Sequence, residues 1–322
     1  MPPKVVVATL TWNQKADVLE CLSTLVKLDY PRYEIVVIDN GSVDGTYEAV
    51  RARYPQVSLV RNSENLGCAE GVNGEIRFAL QAKADYLFII ANDATVEPTT
   101  LSELVKVAER DPKIGMVHPK VYYYDQPRKI WFARGSRMNW WKGQFFGFVH
   151  KVEDDGRYDE ETEADFFPGG FTLVRTEAIK KAGLLDPDYF IFLDDSDWSL
   201  RIHRLGYTGR YAPRARAWHK PSSSVGMESE SFYYYRTRNR LFFVKKYAPF
   251  GIFPLFFFFY FPYELFFKTL PTLYLSGQKS QWKAVLLAVF DFLRGRRGQR
   301  SFPQTRSQAE IKPPHAAPSY WH

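Results

Sequence analysis

A chain of 322 residues has room for about two domains, or for one large α/β unit with an appendage, and its 45% hydrophobic content excludes general disorder. The formal charge of +7 suits anionic partners such as nucleotides, phospholipid head groups or nucleic acid. Two cysteines, Cys21 and Cys68, exclude a disulfide framework and a cysteine metal cluster, which makes a reducing compartment the default.

The opening MPPKVVVATLTW has too short an apolar run for a signal peptide, so the folded part is expected in the cytoplasm. Residues 4–10 are a β-branched run of the kind buried in a parallel sheet, followed by the polar turn Thr11-Trp12-Asn13 and an amphipathic helix over 16–28. A second buried strand, 33–38, ends in Asp39-Asn40-Gly41-Ser42, and Asp44-Gly45-Thr46 opens a helix to about residue 54. A third strand, 57–61, leads through 62–67 to a helix over 71–82, and a fourth, 86–90, ends in Ala91-Asn92-Asp93. Strands alternating with helices predict right-handed crossovers and one mostly parallel sheet. Its carboxyl edge would gather three polar clusters: Thr11/Asn13, Asp39/Asn40/Ser42 and Asn92/Asp93.

No G-x-G-x-x-G follows the first strand and no G-x-x-x-x-G-K-[ST] occurs, so a nucleotide here needs side chains and a metal ion, not a glycine cradle. Turn chemistry alone is the competing account of Asp39-Asn40-Gly41 and of Asn65-Leu66-Gly67. Asp93 resists it, because a lone acid after an apolar strand is costly without a partner.

Residues 121–156 are aromatic and irregular, with Trp131, Trp140 and Trp141; they shape an acceptor site or form a packed insertion. Phe167-Pro168-Gly169-Gly170 lets backbone approach a donor sugar or diphosphate, or is a plain turn. The stretch 189–201, YFIFLDDSDWSLR, reads as a strand-like run delivering Asp194, Asp195 and Asp197 to a helix. Trp198, Ile202 and Leu205 share a face of that helix and Gly206 stops it. Capping accounts for Asp194, and an i,i+4 pair with Arg201 accounts for Asp197. Asp195 is left over.

From Phe232 the character changes. Arg236, Arg238, Arg240, Lys245 and Lys246 precede a charge-free, phenylalanine-rich run, 247–263, short for a span and interrupted by Pro249, Pro254 and Pro262. A second amphipathic stretch, 282–293, precedes the arginines of 294–300. Apolar faces beside clustered arginines predict elements lying in a membrane surface, with a buried helix and a single span as alternatives. Residues 301–322, rich in Pro, Ser and Gln, predict a disordered tail. No nucleic-acid-binding motif accompanies the basic run, so nucleic acid is not an expected partner.

Taken in order, VVVATLTWN, EIVVIDNGSVDGT, RNSENLGCAEGVNGEIRFAL, DYLFIIANDATVEP, FFPGGFTLVRTEAIKKAGLLDPDYFIFLDDSDWSLRIHRLGY and ARAWHKPSS resemble the family 2 glycosyltransferases of GT-A fold. The nearest likeness is to the bacterial rhamnosyltransferase-like branch that builds cell-surface polysaccharides. The resemblance covers about residues 4–245 and is specific through order and spacing. It implies a Rossmann-like α/β catalytic domain over 1–230, its nucleotide-sugar half to about 120 and its acceptor half over 121–230, before a helical membrane-associating region over 231–300 and the tail.

Carried over residue by residue, the resemblance implies that Thr9 and Asn13 line the nucleotide pocket. Asp39 meets the base, Asn65 and Gly67 close nearby, and the clustered Asn40, Ser42 and Asn92 join them, with Gly169 and Gly170 at the donor. Asp93 becomes the metal-binding acid of a D-x-D-like element and His219 a further ligand. Asp195 becomes the general base of a Glu-Asp-x-Asp-like element, with Asp194 and Trp198 on the acceptor side. Two positions depart from the pattern: Ala91 stands at the first D-x-D position, and Asp194 replaces the usual Glu.

The expected cofactor is Mn2+ or Mg2+, with imidazole tilting the preference toward Mn2+. The expected reaction is inverting transfer from a dTDP- or UDP-linked sugar to a hydroxyl of a glycan or lipid-linked glycan, by an enzyme peripheral on the inner face of the cell membrane. The alternatives are a polyprenyl-phosphate sugar synthase and a catalytically inactive sugar-nucleotide or glycan-binding protein, the latter favoured by Ala91.

Overall fold

The computed structural model describes residues 1–220 and 229–302. They divide into two units, one holding Met1–Arg137 and the chain from Gly147 to 220, the other Met138–Phe146 and the chain from 229 onward.

In the first unit, β1 (Val5–Thr11), β2 (Tyr33–Asp39), β3 (Ser58–Arg61) and β4 (Tyr86–Ile90) pair in parallel in the order β4-β1-β2-β3. Their crossovers are the helices α1 (Lys15–Leu25), α2 (Thr46–Arg53) and α3 (Gly67–Gln81). Val5 through Ala8 and all of β4 are buried, which is why these strands read as unbroken apolar runs. The register sets Thr11 against Asp39, so the polar ends of β1 and β2 share one edge.

The chain continues through β5 (Ala94–Val96), α4 (Thr100–Ala108), β6 (Ile114–Tyr123) and β7 (Gln126–Phe132). After the hairpin β8 (Arg137–Asn139) and β9 (Gln144–Phe146) come β10 (Val152–Glu153), β11 (Thr162–Ala164) and β12 (Phe171–Arg175). α5 (Thr176–Ala182), α6 (Asp194–Arg204) and β13 (Thr208–His219) complete the unit. β12 lies antiparallel between β4 and β6, and β13 runs parallel to β6, its end at Ala217–His219 pairing antiparallel with β5 on its other side. The result is an α/β fold with a parallel sheet at its centre.

Two expectations are overturned here. The stretch 121–156 is not irregular: it carries the end of β6 and all of β7 to β10. Register shifts at Val121/Tyr122 and Tyr122/Tyr123 break the alternation that would have marked the β6–β7 ladder. Residues 189–193 are not a strand. A 3-10 turn, Pro187–Tyr189, is followed by Phe190, Phe192 and Leu193 at φ 64, 66 and 67°.

The second unit is helical. α7 (Glu230–Tyr247) holds the β8–β9 hairpin, with Trp140 stacked on Phe243 at 5.9 Å and the Arg240 Nε donating to the Gly143 carbonyl at 2.9 Å. Residues Met138–Phe146, read from sequence as part of the catalytic domain, therefore belong to this unit. Residues 252–275 form one continuous helix despite their prolines. Two π-helical turns, Phe256–Tyr260 and Leu265–Thr269, each close just ahead of a proline, Pro262 and Pro271. A widened turn relieves the clash and the missing N–H that a proline brings to a helix interior. The five-residue steps also keep Phe256, Phe261, Leu265 and Leu270 on one buried side.

The last helix, Lys279–Leu293, packs on α7 through Phe242 and Phe292, 4.9 Å between centroids. Buried Asp291 accepts from the Tyr234 hydroxyl at 2.6 Å. Among the described residues no helix is long and apolar enough to cross a membrane. The expected tail lies outside the described residues from 303 onward; its start is anchored, with Phe302 edge-on to Tyr234 at 5.1 Å.

Candidate active site

Parallel strands end on a common edge, and the first polar cluster forms where β1 and β2 stop. Asp39 is fully buried; its Oδ1 accepts from the Ser42 N–H at 3.0 Å and its Oδ2 lies 3.5 Å from the Arg61 Nε. The Ser42 Oγ accepts from the Asn13 N–H at 2.9 Å, and the Asn13 Oδ1 accepts from the Val43 N–H at 2.8 Å. These bonds lace the two strand-end loops together. Asn40 has no capacity left for a ligand: its amide donates to the Asn65 Oδ1 and the Gly67 carbonyl, and its oxygen accepts from Asn62 and Leu66. It shapes the loop that carries Asn65 and Gly67. Thr9, expected at the pocket, is wholly buried two residues inside β1. Thr11 is the threonine of the edge, its Oγ1 accepting from the Asn92 Nδ2 at 3.0 Å.

The second cluster follows β4. Asn92 is tied back to β1 through Thr11 and through Gln14 at 2.7 Å. Asp93 is nearly buried, and its Oδ1 stands 3.1 Å from the Nε2 of His219, brought there by the pairing of β13 with β5. Edges of Trp131 and Phe171 wall the imidazole at 4.4 and 5.1 Å, and its Nδ1 is buried without a hydrogen-bond partner. The donor set fits a divalent cation. Two donors 3.1 Å apart match neighbouring corners of an octahedral shell, about 3.0 Å for bonds of about 2.1 Å. Among the described residues no three His, Cys, Asp or Glu form a complete cage, so the remaining ligands of such an ion must come from elsewhere.

The third cluster opens α6. Asp194 is buried, and burial together with the neighbouring Asp195 carboxylate pushes it up to about 8. Asp195 is raised as well, by burial, against the pull of the hydrogen bonds its carboxylate accepts. Those come from the Gly169 N–H at 2.9 Å, the Ser196 N–H at 2.6 Å and the Ser196 Oγ at 3.2 Å. The turn that aims these acids holds three non-glycine residues at positive φ, a conformation costing about 1–2 kcal/mol each. Such strain gathers at functional sites. Gly67 is required beneath the turn: with φ +86°, a Cβ there would sit 2.5 Å from the Phe190 ring.

The second and third clusters meet at one dipeptide. The Gly170 carbonyl accepts from the Ala91 N–H at 2.7 Å, two residues before Asp93, while the Gly169 N–H donates to Asp195. Two residues expected on the acceptor side do other work. Trp198 is 4% exposed in the core and spends its indole N–H on the Gly183 carbonyl at 2.8 Å. Asp194 is turned inward against Cys68, whose thiol is pushed far up by burial and by these carboxylates. Asp197 pairs with Arg201 at 2.9 Å, as its spacing implies.

Several contributors carry no sequence signal: Gln14 on Asn92, Phe171 beside His219, and Arg61, whose guanidinium also lies 4.9 Å over the Tyr47 ring; Trp131, read from sequence as part of an acceptor site or a packed insertion, stands against His219 instead. Tertiary contacts bring them in.

Fold and edge together define the class, a glycosyltransferase of GT-A fold. A family model described as Glycosyl transferase family 2 matches residues 6–183, and the chain belongs to that family. It is 28% identical over 213 residues to an N-acetylglucosaminyl-diphospho-decaprenol L-rhamnosyltransferase of Mycobacterium tuberculosis, covering 61% of this chain and 69% of that protein. It is 24% identical over 220 residues to a poly-β-1,6-N-acetyl-D-glucosamine synthase of Staphylococcus epidermidis, covering 67% of this chain but only 49% of that one. Among solved structures, the mannosyltransferase PcManGT from Pyrobaculum calidifontis, in complex with GDP-Man and Mn2+, superposes with a TM-score of 0.56 at 19% identity, covering 92% of this chain and 88% of that chain.

Proposed function

We propose that this glycosyltransferase moves a sugar, rhamnose in the first instance, from a dTDP- or UDP-linked donor to a hydroxyl of a lipid-linked or cell-surface polysaccharide precursor, with inversion and with a divalent metal ion. The work takes place at the inner face of the cell membrane, where the protein is peripheral. The observation that carries the reading is the Gly169-Gly170 dipeptide, bonded at one end to Asp195 and at the other to the strand end bearing Asp93. One donor sugar lying along that dipeptide has a metal-binding acid at its leaving group and a base at its anomeric carbon. Similarity to a rhamnosyltransferase acting on a decaprenol-linked sugar supports both donor and acceptor class.

Asp93 and His219 would hold a divalent ion at the donor's leaving group, and the imidazole would favour Mn2+ over Mg2+. An ion held there would supply charge neutralisation for the departing diphosphate. Asp39 and the Asn13–Ser42 pair receive the nucleoside at the β1–β2 edge. Asp195 takes the proton of the attacking hydroxyl, a service worth roughly 10²–10⁴ in rate. Its raised affinity for protons, set by burial, suits that task. Direct attack by the acceptor inverts the anomeric centre and needs no second nucleophile.

Asp195→Asn is the test. Transfer to a hydroxyl acceptor should fall by roughly 10²–10⁴ while donor binding, read by melting temperature, is retained. Undiminished transfer would assign the acceptor to a polyprenyl phosphate, which needs no base. Donor binding by the unmutated chain with no turnover in Mn2+ would reduce it to a sugar-nucleotide-binding protein.

A further inference from the structure

The helix over 252–275 buries one side and leaves the other bare. Phe258, Phe259, Tyr263, Phe266 and Phe267 recur at helical spacing on the uncovered side, with Phe259 70% and Phe267 74% exposed. That is an aromatic stripe along about 15 Å of helix, against the scattered single apolar residues a soluble surface normally shows. The charges of this part of the chain are mostly of one sign. From 248 to 302 the chain has seven cations, Lys268, Lys279, Lys283, Arg294, Arg296, Arg297 and Arg300, and two acids. Both acids are withdrawn from the surface: Glu264 pairs with Arg240 at 2.7 Å, and Asp291 is buried against Tyr234 and Arg300. Several cations sit over aromatic faces, Lys268 5.5 Å from the Tyr263 centroid and Arg294 4.1 Å from that of Phe290.

We propose that this aromatic side of the 252–275 helix is a membrane-docking surface that lies in the plane of an anionic lipid leaflet. It deepens the lipid-linked acceptor reading above and rests on it for the acceptor's location. Aromatic side chains enter the boundary between head groups and acyl chains, where amphipathic rings are favoured, while the lysines and arginines meet lipid phosphates. The excess of cations over acids in this part of the chain selects an anionic lipid surface over a second copy of this chain, since two such segments repel.

The test uses the full chain and vesicles of phosphatidylcholine with and without phosphatidylglycerol. Binding should favour phosphatidylglycerol and weaken as salt rises. Phe259→Ser with Phe267→Ser should weaken it about tenfold or more, and Arg296→Glu with Arg297→Glu should abolish the lipid preference. Both double variants should keep the donor-induced rise in melting temperature. Vesicle binding unchanged in the phenylalanine variant, or absent in the unmutated chain, overturns the proposal. Conversion of a dimer to a monomer in that variant, with vesicle binding intact, assigns the stripe to self-association. Vesicle binding that survives in a chain unable to bind any nucleotide-sugar leaves this surface standing and removes the transferase reading instead.

Discussion

Asp194 and Asp195 are neighbours in the chain with different surroundings, and the difference is measurable. Asp194 faces the interior and is pushed up to about 8, by burial first and by the Asp195 carboxylate second. An unfolded aspartate titrates near 3.9. Between those values the native state holds a proton that the unfolded state has lost, so this group's contribution to stability is full below about pH 4 and falls away as pH rises toward 8. Asp194→Asn removes the titration. The melting temperature of the unmutated protein, relative to that of the variant, should decline from pH 5 to pH 8 and level off above; parallel curves would mean that Asp194 ionises freely. At this scale the sequence was informative where chemistry is costly. Clustered carboxylates at Asp194–Asp197 and a lone acid after β4 stand out because burying charge demands a reason. Trp198 misled because a large aromatic close to a candidate catalytic carboxylate is equally at home in the core, and helix phase decides which. Thr9 misled because the end of β1 lies two residues further on.

Elements place those residues, and the placement is tightest where glycine admits close approach. A Cβ on Gly169 would come within 2.9 Å of the Asp195 Cβ, an atom fixed by the α6 backbone. Gly169→Ala therefore has to move the first turn of α6 or the 167–170 turn. Misplacement of a reacting group by about 1 Å costs on the order of 10²-fold. The expected result is a loss of kcat of that order with KM for the donor changed little, measured by steady-state transfer. Full activity would show that the dipeptide is not seated against the base. The parallel strands were legible, with β4 at its expected bounds, because burial on both faces writes an unbroken apolar run. The 189–193 turn was not. Its aromatic and aliphatic residues have strand propensity, and their positive φ values are imposed by packing on Gly67 and by the Phe190 carbonyl receiving the Cys68 N–H at 2.8 Å. Local propensity loses to those tertiary contacts.

At the scale of the whole molecule, the site should report itself in stability. A ligand that binds only the folded chain stabilises it by RT ln(1 + [L]/Kd), about 2.7 kcal/mol at a hundredfold excess over Kd, which is worth several degrees in melting temperature for a domain of this size. In the proposed reading Asp93 and His219 would supply two ligands, so Mn2+ alone should move the transition little. A nucleotide-sugar alone brings diphosphate charge near Asp93 without compensation and should also do little. If the proposed reading holds, the two together would complete one coordination sphere, so the joint shift should exceed the sum of the separate ones, vanish with EDTA and return with Mn2+. His219→Ala should shrink that excess; because it also loses the Nε2 contact to Asp93 and the packing on Trp131 and Phe171, the variant's melting temperature without ligand should fall, and the excess is read against that lower baseline. Additive shifts, or an excess indifferent to His219, would place the ion elsewhere or remove it from the reaction. The measurement depends on neither acceptor nor turnover, so it isolates the metal from the base tested at Asp195.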